Sequence, residues 1–130
     1  MSDLRDKFQQ LYNLQLANLK YSPWIKKTPL PERIKELGKE VEELSLKVHC
    51  NKIDGLTEEI GDVIWDSLGI LAKISEQYGV KPEVVLEQAY QKFIRRKPFL
   101  LDGREVTGQE EKDLWEKVKK LEKLGCYAKK

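Results

Sequence analysis

Apolar residues return every three or four positions along most of this chain, and the residues that break helices fall between those runs. Ile34, Leu37, Val41, Leu44 and Val48 step by 3, 4, 3 and 4. A helix lays such a set on one face, whereas a strand scatters it over two. No alternating stretch of useful length competes. The expected class is therefore all-α, a helical bundle of about five helices. At 130 residues it reads as one domain, 1–130, long enough to bury its own core.

An opening helix is expected from about Leu4 to Leu19. The stretch from Tyr21 to Leu30 is too rich in proline to continue it, which leaves Trp24 in an otherwise polar loop. A second helix starts at Pro31, with Glu32 in its first turn, and ends at Asp54-Gly55. The third uses Ile60, Val63, Ser67, Ile70 or Leu71, and Ile74 as its inward face and stops near Gly79. Opposite that face, Ile64, Trp65 and Leu68 form a second apolar patch, suited to an oligomer interface unless the opening helix covers it. Pro82 opens a fourth helix that breaks at Pro98, and Leu100 to Gly103 is a turn-rich connection. A capping box at Thr107 and Glu110 opens the fifth, which carries Leu114, Val118 and Leu121 and stops at Gly125.

Charge excludes several partners. Charged residues are 35% of the chain, yet the net charge is only +2 because both signs interleave. A nucleic-acid binder would show a basic stripe, and the terminal lysines are diluted by Glu116 and Glu122 into a solvated helix face. No apolar run is long enough for a membrane span, and no signal-peptide pattern opens the chain. Cys50 and Cys126 read as free thiols of a reducing, cytoplasmic compartment. His49 beside Cys50 lacks the partners of a zinc site.

Two acidic pairs carry the chemistry, Glu40 with Glu43 and Glu59 with Asp62, with fifteen residues between the pairs. A spacing of three puts both members of a pair on one helix face, where like charges repel. Two such helices side by side aim four carboxylates at one volume, and a hard divalent cation such as Mg²⁺ is the occupant that oxygen ligands suit. Glu36 extends the first row and Asp66 the second. The competing reading is of edge carboxylates paired with surface lysines. On the fourth helix Lys92, Arg95 and Arg96 are either counter-charges to the helix C-terminus or a phosphate grip. Trp115 and Lys119 share a face of the fifth helix, as core and surface or as a wall for base and phosphate. Trp24 is likewise a core anchor or a ligand contact.

Taken in order, these segments resemble the MazG-type nucleoside triphosphate pyrophosphohydrolases of the all-α NTP pyrophosphatase superfamily. The resemblance runs through Ser22-Pro23-Trp24 and Thr28, the KEVEEL segment with Glu40 and Glu43, and EEIGDVIWD with Glu59, Gly61 and Asp62. It continues through QKFIRRKP, from Lys92 to Pro98, and DLWEKVKKLEK with Trp115, Lys119 and Glu122, covering roughly the last hundred residues. It implies cleavage of an NTP or dNTP between the α- and β-phosphates, with Mg²⁺, or Mn²⁺ as a substitute, on Glu40, Glu43, Glu59 and Asp62. Substrate contacts carry over onto Lys92, Arg96, Trp115 and Lys119, and less directly onto Arg95, Glu36 and Trp24. It implies a homodimer or a dimer of dimers, with the bundle completed across subunits. The rival readings are a narrower dUTP, dCTP or phosphoribosyl-ATP pyrophosphatase, and a catalytically inert helical dimer module.

Overall fold

The computed structural model describes residues 3–125, and Cys126, Lys129 and Lys130 lie outside them. All regular structure among those residues is helical. The five long helices are α1 (Leu4–Tyr21), α3 (Leu30–His49), α4 (Ile53–Tyr78), α5 (Pro82–Arg96) and α7 (Gly108–Lys123). Two short ones, α2 (Pro23–Lys27) and α6 (Phe99–Asp102), fill segments that the sequence suggests are loops. Proline is harmless at the first helical position, and the Ser22 side chain accepts from the Ile25 N–H, so Pro23 starts α2 and puts Trp24 on it. The α6 turn ends at Gly103, with φ 64°. No helix among the described residues is long and apolar enough to cross a membrane.

The chain divides into a unit of α1–α4, through Val80, and a unit of α5–α7, from Lys81. In the first, α4 packs against both α3 and α1. The link between α3 and α4 is only residues 50–52, with Asn51 at φ 54°, a left-handed position that asparagine tolerates. Asp54 and Gly55 therefore sit in the first turn of α4 instead of ending α3. So short a link makes the two helices an antiparallel hairpin.

Arg33 and Gly69 set the register of that hairpin. Arg33 is 5% exposed and its Nη1 donates to the Gly69 carbonyl at 3.3 Å. From α1, the fully buried Gln15 donates through Nε2 to the Trp65 carbonyl at 2.7 Å and accepts from Asn18 at 3.1 Å. Both side chains crowd the place where a Cβ on residue 69 would stand, so glycine is what lets three helices meet there. At the other end of the pair, Lys47 lies over Gly55. Each step along α3 is thus matched by a step back along α4, which sets Glu36 level with Asp66 and Glu40 level with Asp62.

This register rotates the expected seams. The face of α3 turned toward α4 carries Arg33, Glu36, Leu37, Glu40, Leu44 and Lys47, buried or half-buried. Ile34, Val41 and Val48 stay about half exposed, at 51%, 48% and 54%. On α4, Leu68 and Ala72 are buried, whereas Ser67 is exposed and Ile60 is 43% exposed. The opening helix packs on α4, and Leu19, Ile25 and Ala72 form a small core cluster with Tyr12 packed against it. Of the second apolar patch expected on α4, Leu68 is buried, Trp65 half-buried and Ile64 41% exposed. In the second unit Phe99 and Val118 are buried, and the Thr107–Glu110 capping box opens α7 as expected.

Gly69→Ala should destabilise the protein by about 1–3 kcal/mol, because Arg33 and Gln15 have no solvent into which to retreat. Gly38→Ala, also mid-helix but with open space around the added carbon, should instead stabilise it by about 0.5–1 kcal/mol. Urea unfolding of the two variants beside the wild type checks both signs.

Candidate metal centre

The hairpin register brings Glu40 from α3 together with Glu59 and Asp62 from α4. One carboxylate oxygen of each lies within 4.8 Å of the others. Glu40 and Glu59 are half-buried, and Glu43, one turn on, is exposed at the margin. The ordinary reading of edge carboxylates needs lysine partners, and no ion pair is found to any of these four among the described residues. Burial first, then the charges of Asp62, Asp66, Glu59 and Glu43, push the Glu40 pKa above the usual carboxylate range. An all-oxygen donor set of carboxylates at this spacing fits a hard dication such as Mg²⁺. His49 stands apart, with Nδ1 against the Ser45 carbonyl of its own helix at 2.9 Å.

One turn from this triad toward Arg33, the groove opens into a cavity of about 270 Å³. Trp24, Trp65, Asn18, Arg33, Glu36 and Asp66 line it. Burial raises the Asp66 pKa, with Asp62 and Glu36 adding to the rise and Arg33 opposing it. Burial also lowers the Arg33 pKa, against the pull of Asp66. Glu36 is held by Lys39 Nζ at 3.2 Å. Arg33 and Trp65 were not singled out as site residues in sequence. The available signal was a charged residue at position 33 in helical step with Leu37 and Glu40, but an arginine before a run of charges reads as surface.

The second unit assembles Arg95, Arg96 and Trp115 around Glu122. Arg96 donates through Nε and Nη2 to one Glu122 oxygen at 3.3 and 2.9 Å, and Arg95 donates likewise to the other at 3.2 and 3.0 Å. The Arg96 guanidinium also lies over the Trp115 ring at 4.8 Å, and Phe93 packs against that ring at 6.2 Å. The Arg96 hydrogen bond is the main reason that the Glu122 pKa is lowered. Lys97 reaches Glu111 at 2.7 Å. Lys92 and Lys119 are exposed, with Lys92 extended beside Phe93.

Two outcomes follow from these charges. A raised Glu40 pKa favours folding while the carboxyl keeps its proton, and that contribution is lost as pH rises through the raised value. Metal-free Glu40→Gln should therefore melt at or above the wild type near pH 7, with the gap closing as pH falls into the ordinary carboxylate range. A rise in Tm on adding Mg²⁺ should appear in the wild type and vanish in the variant. Glu122→Gln should cost about 1–3 kcal/mol, since it weakens two charge-assisted forks between α5 and α7. Stability from the lowered Glu122 pKa is present above the ordinary carboxylate range and lost as pH falls through the lowered value, so the cost should shrink in acid. Melting curves of each variant across pH measure these effects.

Residues 31–101, more than half of the chain, match the family model of the MazG nucleotide pyrophosphohydrolase domain. That span holds all four acidic pair residues with Glu36, Lys92, Arg95 and Arg96, and leaves Trp24, Trp115 and Lys119 outside it. Among solved structures, the chain is similar to a mazG-related protein from Thermotoga maritima, with a TM-score of 0.82 and 29% identity over 86% of this chain and 98% of that one. No curated protein matches. The carboxylate triad lies inside the matched segment, and the chain belongs to the MazG nucleotide pyrophosphohydrolase domain family.

Proposed function

We propose that the protein is a Mg²⁺-dependent nucleoside triphosphate pyrophosphohydrolase that cleaves an NTP or dNTP between the α- and β-phosphates, giving the monophosphate and pyrophosphate. One observation carries this reading: three carboxylates on two rigid helices converge within 4.8 Å, one turn from an aromatic-lined cavity. Carboxylates so placed repel one another, so the cluster is a poor structural device and a good cation site.

Glu40, Glu59 and Asp62 would hold Mg²⁺, or Mn²⁺ in its place, with Glu43 adding a carboxylate at the margin. Such an ion, when bound, offsets phosphate charge and makes a coordinated water more acidic. The helices keep the four acids in place, and one of the glutamates would take the proton of the attacking water. Trp24 and Trp65 offer ring faces to a nucleobase in the cavity, and Glu36 stands at its edge near the acidic row. In the second unit, Lys92, Arg95, Arg96, Trp115 and Lys119 are the proposed phosphate-contacting set. Lys92 and Lys119 are exposed, whereas Arg95 and Arg96 would exchange the Glu122 carboxylate for phosphate oxygens.

The same reading makes the protein a cytoplasmic homodimer or dimer of dimers. Ile34, Val41 and Val48 form one apolar row on α3 and are about half exposed. Few large apolar side chains are fully buried among the described residues, a thin core for a chain of this length that a second copy would thicken.

With Mg²⁺, at least one of a panel of NTPs and dNTPs should give monophosphate and pyrophosphate in equal amounts, and EDTA should stop the reaction. Asp62→Asn should lower turnover by about a hundred-fold or more while the fold survives, since a lost ligand weakens both the metal and its alignment. Light scattering on the same sample should give a mass above that of one chain. Release of orthophosphate and a diphosphate would assign a different bond. No turnover on any substrate would leave the inert helical module.

A further inference from the structure

From the cavity beside the triad we infer that Asp66 and Arg33 select the nucleobase, accepting bases that carry an exocyclic amine and rejecting their keto counterparts. This rests on the proposed reaction for its substrate, and on the cavity for its chemistry. A volume of about 270 Å³ takes a heterocyclic ring and not a whole nucleotide. The cavity starts one helical turn, about 5 Å, from the carboxylate triad along both α3 and α4. A ring seated there leaves its sugar and phosphates to run toward Glu40 and Asp62.

Two polar groups in the cavity have capacity to read such a ring. Asp66 is half-buried, lines the cavity, and accepts no hydrogen bond from the described residues. Among the described residues no fully buried side-chain oxygen or nitrogen lacks a partner, so the Asp66 oxygens are not sealed off. Arg33 uses Nη1 on the Gly69 carbonyl, and a guanidinium has further N–H donors beyond that one. The other ionised neighbour, Glu36, is engaged by Lys39. The cavity therefore offers an acceptor beside a donor, with Trp24 and Trp65 for the ring faces. Cytosine presents the complement, an N4 amine next to the N3 acceptor, and adenine presents N6 next to N1. Uracil and the 6-keto purine hypoxanthine put a carbonyl oxygen where the amine would be. Against Asp66 that oxygen meets like partial charge and receives no hydrogen bond. A site built to bond a group rejects the analogue that lacks it, because its own polar groups are left unpaired.

The test uses substrates that differ only by amine for carbonyl: CTP against UTP, and ATP against ITP. For the wild type with Mg²⁺, kcat/KM should favour the amino member of each pair by about ten- to a hundred-fold, as expected for one charge-assisted hydrogen bond. Asp66→Asn keeps the shape but can donate to a carbonyl, so the preference should collapse or reverse through gains on UTP and ITP. Equal wild-type values within both pairs would overturn the inference, and this result does not depend on the variant folding. Asp66→Asn lowering all four substrates by the same factor would overturn it too, making Asp66 a support for the acidic cluster. Calorimetric binding of CMP and UMP reads the cavity without turnover. If no triphosphate is cleaved yet CMP binds more tightly than UMP, the proposed reaction falls and the base selection stands.

Discussion

The contact of Arg33 with the Gly69 carbonyl is the constraint on which the first unit depends. Two helices whose facing residues include Glu36, Glu40, Glu59, Asp62 and Asp66 have an electrostatic reason to slide or rotate apart. A buried guanidinium seated over a glycine opposes both motions. It fixes the register through a backbone hydrogen bond, and its charge lies close enough to Asp66 to offset that carboxylate. Gln15 locks the same point from α1 by bonding the Trp65 carbonyl. The acidic cluster and the cavity are thus two consequences of one register. Moving α4 by a single turn would pair Glu40 with Asp66 and dissolve the triad.

Much of this was legible in the chain. The all-α class and the five long helices follow from apolar periodicity, and the stops at Gly79 and Pro98 and the capping box at Thr107 hold to within a residue or two. What was misread has a common cause. The spacing of Ile34, Leu37, Val41, Leu44 and Val48 marks one inward seam on α3, yet only Leu37 and Leu44 are half-buried, beside Arg33, Glu36, Glu40 and Lys47, while Ile34, Val41 and Val48 stay about half exposed. Periodicity finds a face but does not say what covers it, and burial within one chain is only part of that answer. Leu68, which in sequence belongs to a patch for either a partner or the opening helix, is buried within the single chain. The short helices were missed because Pro23 and Pro98 were weighed as breakers, although proline starts a helix as readily as it ends one.

The acidic pairs were visible because their spacing is local, whereas Arg33 was not, because its meaning depends on a residue thirty-six positions away. Arg96 illustrates a third case. Sequence offered either a helix-end counter-charge or a phosphate grip, and the side chain is engaged instead by Glu122 and the Trp115 ring. Those contacts do not oppose a phosphate role. A guanidinium already held over an aromatic ring has less freedom left to lose when it meets an anion.

Charge then orders the steps of the proposed reaction. A polyphosphate approaching the bare triad meets three carboxylates of its own sign, with Glu43, Glu36 and Asp66 close behind. Arg33 offsets one of these, and it is buried. In the second unit, Arg95, Arg96 and Lys97 are already matched by Glu122 and Glu111. The facing carboxylates of the first unit oppose a triphosphate, so a cation held there would supply the attraction at that site. Nucleotide affinity and metal affinity are then linked, each raising the other by the same factor. In the proposed reaction the helices would supply positioning, and a divalent ion would supply the charge that offsets the phosphates.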